Sequence, residues 1–340
     1  MGLNAVYAYT AIPAIAAYLV TKALTAVQQY HMALPLVFYS GIIFSIISAI
    51  GLREKIINGI PDNIKRALTG GIGLFIAYLG LQNSKIIVAS PATQVTLVNF
   101  ADYANNGHVI HGALLTLVGL FIITALYSKK VKGSVLIGII VTAFLSFLTG
   151  YSTIPETFSF GISHHLNDFL NVSLFKMDLA GPFSSGNLGP AIGTMLALIL
   201  AFAMVNMFDS MATIYGVCFS AGMVEKNGQV RGLKKGLMVD AAGTTVGALL
   251  GTSTVTAVFG SAGGSGEGGR AGLTAVVAGG LFLVAVVVAP LIGIIPSVAT
   301  APALIYVGCL MMGSIKSVDF SDPTDALPAF LTIIMMPLTY

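Results

Sequence analysis

Apolar runs of helix-spanning length return from one end of this chain to the other, and the polar stretches between them are short. Runs of that kind can bury their backbone polar groups in lipid only as helices, so they read as repeated crossings of a membrane. Candidate spans are residues 3–20, 33–50, 67–81, 109–127, 134–150, 188–217, 237–251, 271–294 and 297–313, with a tenth beginning near 326. Composition agrees: 9% of residues are charged and 56% hydrophobic, where a soluble domain carries about 25% charged. The expected class is an all-α polytopic membrane protein. No Lys/Arg-rich patch interleaved with aromatics suggests nucleic acid as a partner. Cys218 and Cys309 lie far apart in apolar stretches without neighbouring His or Cys, which argues against a disulfide scaffold or a metal site.

The basic residues set the orientation. Loop 51–66 holds Arg53, Lys55, Lys65 and Arg66, loop 128–133 holds Lys129, Lys130 and Lys132, and loop 223–236 holds Lys226, Arg231, Lys234 and Lys235. Together these are eleven of sixteen Lys and Arg, and two spans separate each loop from the next. All three therefore fall on one side, the cytoplasmic one by the positive-inside rule. Connections 82–108 and 151–187 carry one Lys each, Lys85 and Lys176. "GLREKIINGIPDNIKRAL" reads as a short amphipathic connection that anchors the chain at the cytoplasmic face. Loop 151–187 holds His164, His165, Asp168 and Asp178 and reads as an extracytoplasmic loop, since its spacing is not that of a zinc site. No basic leader precedes the first apolar stretch, and both ends fall within or beside apolar runs, as if further spans belonged to the fold.

Two segments interrupt the helical pattern. "GLNAVYAYTAIP" opens the chain, and "GTSTVTAVFGSAGGSGEGGRAG" fills residues 251–272, a stretch too rich in Gly, Ser and Thr for a regular helix. Each includes a piece with strand propensity, Asn4 to Tyr9 and Thr254 to Phe259. Residues 251–272 can be a Gly-rich surface loop or a re-entrant segment; the β-branched start and the flanking apolar helices favour the second. Paired broken segments in the two halves of a transporter point to a midplane binding site. No phosphate-loop pattern is present, and no cofactor is expected.

"MVNMFDSMAT" places Asp209 deep inside an apolar run, with Asn206, Asp209 and Thr213 on one helix face. A mid-membrane Asp costs about 2.5–3.5 kcal/mol on insertion scales and marks a substrate or proton pathway by default. An intramembrane aspartyl protease needs a second carboxylate at the same depth, and none is clearly there. The five histidines lie in or beside connections, so a serine-protease arrangement also lacks its base. The chain is not expected to be an enzyme.

The blocks "GLNAVYAYT", "GIGLFIAYLGLQN", "FDSMATIYGVCFSAGMVEKNG", "DAAGTTVGALLGTSTVT", "EGGRAGLTAVVAG" and "PLIGIIPSVATAPALIYVGCLMM" resemble the adenine/guanine/hypoxanthine (azaguanine-type) permease branch of the nucleobase:cation symporter-2 family. The resemblance covers nearly the whole chain. It implies a fold of two inverted seven-span repeats with two short mid-membrane strands, incomplete here at about ten to eleven spans and truncated at both ends. A core domain would comprise 1–50 and 188–294 and a gate domain 67–150 and 297–340, with 151–187 as the extracytoplasmic loop. The family's substrate carboxylate matches Asp209, and its polar neighbours match Asn206, where this branch usually has Asp, and Thr213. In the broken segments the matching positions are Asn4, Ala5, Phe259, Gly260 and Ser261; a Glu–Ser pair usual in the family reads Gly260–Ser261 here. Ala212 stands where the family has Gly.

These readings converge on secondary active transport of a purine nucleobase (hypoxanthine, guanine or adenine) across the cytoplasmic membrane, coupled to H⁺ or Na⁺, H⁺ being the expected ion. Phe208, Phe259 and Tyr7 offer stacking walls, and Asp209 accepts from a ring or exocyclic N–H. The alternatives are a xanthine, uracil or other anion carrier on the same fold, or a non-transporting truncated homologue. The oligomeric state is open, a homodimer among the options.

Overall fold

A computed structural model describes residues 26–91, 93–153, 167, 169–179, 188–225, 230, 232–252, 254–258, 260–266, 268–269, 271–288 and 293–339. The opening broken segment, with Asn4, Ala5 and Tyr7, lies outside them, as do Phe259, His164, His165 and Asp168. The described residues fall into two compact units. The first lies within Met1–Asp62, Gly161–Cys218 and Met223–Val258, the second within Asn63–Phe160, Phe219–Gly222 and Phe259–Tyr340. Residues 259–294, grouped with the core in the sequence reading, belong to the second of these units.

The first unit is built on α1 (Ala26–Ala49), α2 (Leu52–Gly59), α6 (Leu188–Ser220) and α7 (Leu233–Leu249). The second contains α3 (Asp62–Asn83), α4 (Tyr103–Ser128), α5 (Ser134–Leu148), α8 (Gly260–Gly266), α9 (Gly272–Val287), α10 (Ser297–Met312) and α11 (Pro323–Thr339). Among the described residues, Asp62–Asn83, Tyr103–Ser128 and Ser297–Ser317 are long and apolar enough to cross a bilayer. The spans expected at 67–81, 109–127 and 297–313 lie within or nearly within these helices. The amphipathic connection is also present: α2 leaves α1 at a bend of 79°, with Arg53 and Ile57 buried and Leu52 and Ile56 exposed.

The strand piece expected at Asn4 to Tyr9 lies outside the described residues. The one ladder among the described residues is an antiparallel hairpin of β1 (Ile87–Ser90) and β2 (Gln94–Leu97), pairing Ile87 with Leu97 and Ser90 with Gln94. It sits inside connection 82–108, and the residues at its base, Ile86 and Val98, pack with Ile110 and Ala113 of α4. Residues 254–258, read as strand, carry no ladder; a strand needs a neighbouring backbone to pair with, and this stretch spends its polar groups on helix side chains instead. The Gly-rich run, expected to be non-helical, forms the short helix α8. Glycine costs helices about 1 kcal/mol per residue relative to Ala, and contact with α10 opposes that cost.

Helices of the second unit approach through small residues, as helices do where no water-driven force brings them together. A Cβ at Gly73 of α3 would lie 2.7 Å from the Gly308 carbonyl oxygen and 2.9 Å from the Met311 Cβ of α10. A Cβ at Gly80 would lie 2.9 Å from the Ala301 carbonyl oxygen. Gly73→Val must therefore push α3 off α10, with an expected cost of about 1–3 kcal/mol. Gly279→Ala on α9, where nothing lies within 4 Å, should leave stability unchanged or slightly raised. Thermal unfolding of the two variants in detergent checks both.

Candidate functional site

Asn206, Asp209 and Thr213 occupy one strip of α6 about 60° wide at 100° per residue. Leu196, Leu200, Met204 and Phe208 form an exposed apolar stripe at four-residue spacing on the same helix. Asp209 lies on roughly the opposite side from the middle of that stripe, about 160° away, so the carboxylate is turned from the apolar outer face. Phe208, expected as a stacking wall, sits at the edge of this stripe and is 37% exposed.

The strip is buried and polar. Asn206, Ser210 and Thr213 have no exposed surface, and Asp209 is half-buried. Among the described residues, Ser210 Oγ and Thr213 Oγ1 have no hydrogen-bond partner. A buried hydroxyl left unpaired costs about 1–3 kcal/mol, so two of them beside a carboxylate are groups that a polar solute can satisfy. Next to the strip, Ala203 and Met207 pack with Phe44 of α1 and Ala241 of α7, which fixes the helix's rotation.

The second element of the site is the non-helical segment after α7. Gly251 has φ +79°, a conformation that only glycine adopts cheaply, and a Cβ there would fall 2.5 Å from the Ser173 carbonyl oxygen. The chain turns at this point and runs back along α7. Thr252 N–H donates to the Gly247 carbonyl at 2.9 Å. Thr244 Oγ1 donates to the Val255 carbonyl at 3.1 Å, and Ala257 N–H donates to Asp240 Oδ1 at 3.3 Å. The register is geometric. Four helical residues rise roughly 6 Å and two extended residues roughly 6.6 Å, so Asp240 and Thr244 meet residues 257 and 255 in turn. Val255 then packs on Gly247, where a Cβ would lie 2.5 Å from its Cγ2. Thr256, between them, is free to address the other side, and its side chain lies close to the Asp209 carboxylate.

Asp240 has a second partner. Its Oδ2 accepts from Arg53 Nη2 at 3.0 Å, and both side chains are almost fully buried, 0% and 3% exposed. Arg53 Nη1 donates to the Leu237 carbonyl at 3.3 Å, and the guanidinium lies 4.7 Å from the centre of the Phe44 ring, within cation–π reach. The sequence reading counts Arg53 among the cytoplasmic surface charges; the structure places it inside the first unit. That reading assigns Asp240 no role. The i, i+4 pair Asp240 and Thr244 in "DAAGTT" was the available signal, since two polar groups on one face of an otherwise apolar helix need polar partners.

Of the other expected site residues, Gly260 and Ser261 begin α8 in the second unit. Asn4, Ala5 and Phe259 are outside the described residues. Among the described residues no cluster of three His, Cys, Asp or Glu is placed to hold a metal ion.

Removing one member of a buried ion pair strands the other charge, at a cost of about 3–5 kcal/mol. Asp240→Leu alone is therefore expected to destabilise the fold by that amount and Thr244→Val by about 1 kcal/mol. Denaturation of the purified variants measures both, and equal small effects would contradict the arrangement.

Residues 3–340 match the permease family described as Xan_ur_permease. Over 340 residues, all of this chain and 69% of the relative, the sequence is 35% identical to the adenine permease AdeP of Escherichia coli (strain K12). It is 37% identical over 342 residues to the guanine/hypoxanthine permease PbuO of Bacillus subtilis (strain 168), covering all of this chain and 72% of that protein. Among solved structures, the transmembrane domain of the cyanobacterial bicarbonate transporter BicA superposes with a TM-score of 0.61 at 18% identity. That match covers 98% of this chain and 80% of that one, and it shows the shared fold. The chain is a multi-pass cell-membrane protein and belongs to the Xan_ur_permease family, the nucleobase:cation symporter-2 group.

Proposed function

We propose that this protein carries purine nucleobases across the cell membrane, with Asp209 as the group that grips the base. The observation that carries the reading is the placement of Asp209: it sits in a buried polar strip, away from the apolar outer face of α6, with Thr256 of a non-helical segment beside it. The relatives named as adenine and guanine/hypoxanthine permeases support the substrate class.

A purine offers a flat apolar face with ring and exocyclic N–H donors, carbonyl oxygens and ring nitrogens on its edge. A carboxylate accepts one or two of those N–H groups, and a charge-assisted bond of this type is about twice as strong as a neutral one. Asn206, Ser210 and Thr213 add amide and hydroxyl groups on the same strip, able to donate to a carbonyl oxygen or a ring nitrogen. Transport follows if a core domain (1–50 and 188–294) moves against a gate domain (67–150 and 297–340) so that the site opens to each side in turn. Proton coupling fits an acidic side chain that meets both substrate and water during such a cycle. No covalent step is needed.

In cells expressing the protein and lacking their own purine carriers, labelled hypoxanthine, guanine or adenine should accumulate. Asp209→Ala should lower that uptake about ten- to a hundredfold, the loss of a hydrogen bond to a charged group. Unlabelled hypoxanthine, guanine and adenine should compete, and uracil, xanthine and sulfate should not. Unchanged uptake in Asp209→Ala would remove the assigned role, and competition by xanthine or uracil alone would move the substrate class.

A further inference from the structure

We propose that Arg53 is a positioning residue for the nucleobase site, acting through Asp240 on the segment beside Asp209. The inference rests on the substrate reading above and adds a residue to it. Three contacts fix the Arg53 head group inside the first unit: the Asp240 carboxylate at 3.0 Å, the Leu237 carbonyl at 3.3 Å and the Phe44 ring at 4.7 Å. The two oxygens of Asp240 are thereby divided. Oδ2 belongs to Arg53, which leaves Oδ1 facing the Ala257 N–H at 3.3 Å.

Without the guanidinium the carboxylate can rotate, and the Ala257 N–H loses a partner oriented toward it. The neighbouring residue, Thr256, is the one beside the Asp209 carboxylate. A shift at Ala257 is thus passed one residue along an extended chain to the substrate carboxylate. Arg53 also offsets the Asp240 charge, which is close enough to Asp209 to interact with it. Burying an ion pair is costly, and well-packed apolar side chains of similar volume are often as stable or more so. Stability alone therefore does not account for an arginine at this position. Its place in the chain gives a reason: α2 is the last helix of the first unit before the chain passes into the second at Asn63. The ion pair ties that connector to the backbone beside the site.

The test separates position from stability. In Arg53→Met/Asp240→Leu the buried charges are replaced by an apolar pair, and the unfolding temperature should return to near the wild-type value. Purine binding by the purified double variant should nevertheless be at least about tenfold weaker, the scale expected when a reacting or binding group is misplaced by an ångström. Hydrogen exchange in the peptide covering 252–258 should be faster in the double variant. Arg53→Lys, which keeps the charge and loses the planar fork, should retain the fold and show a smaller loss of both affinity and exchange protection. Wild-type affinity together with wild-type exchange in a folded variant of either kind would overturn the proposal. If the wild-type protein binds no purine, the substrate reading fails, and the exchange arm still decides whether Arg53 positions the segment.

Discussion

A stretch of backbone that is neither helix nor sheet cannot lie at membrane depth unless every polar group on it finds a partner in the protein. Residues 254–258 are neither helix nor sheet, and α7 meets two of their backbone groups with side chains in place of a neighbouring strand. Asp240 takes the Ala257 N–H and Thr244 donates to the Val255 carbonyl. Much of the site follows from this. The segment lies along α7 because the side-chain spacing of a helical turn matches two extended residues. Gly251 makes the reversal and Gly247 leaves room for Val255. Thr256 is then left to meet Asp209.

The same constraint explains why so many polar groups are buried in a chain with so few charges. Arg53, Asp240, Thr244, Asn206, Ser210 and Thr213 all belong to the first unit and are all buried. In the second unit the buried polar side chains are mainly Ser and Thr bonded back to their own helices, as Thr69 is to Lys65 and Thr142 to Gly138. Helices there meet through glycines. One unit thus resembles a packed bundle, and the other carries a connected polar network. A solute-binding site belongs with the second kind of interior, where Arg53, Asp240 and Thr244 are paired while the Ser210 and Thr213 hydroxyls are left for a solute.

Much of the architecture was legible in the sequence. Hydropathy finds the helices at 62–83, 103–128 and 297–312 because lipid demands unbroken apolar length, and that demand overrides local propensity. The polar strip of α6 was legible for the same reason: an Asp in an apolar run stands out, and helical spacing supplies its companions. The hairpin at 87–97 was missed although "IIVAS" and "QVTLV" are strongly β-branched, since the stretch reads first as a polar connection between spans. The Arg53–Asp240 pair could not be read at all. The two residues are 187 positions apart; Arg53 has a sufficient local explanation as a surface charge, and nothing near Asp240 in the sequence points to a partner so distant. Only the fold shows that they share a carboxylate with the segment beside the site.

The account is tested most directly by an experimental structure of the protein with hypoxanthine or guanine bound. It predicts the base beside the middle of α6, with an N–H group about 2.7–3.2 Å from an Asp209 oxygen and Thr256 still in contact with that carboxylate. A base bound elsewhere, or an Asp209 side chain directed to lipid, would contradict it.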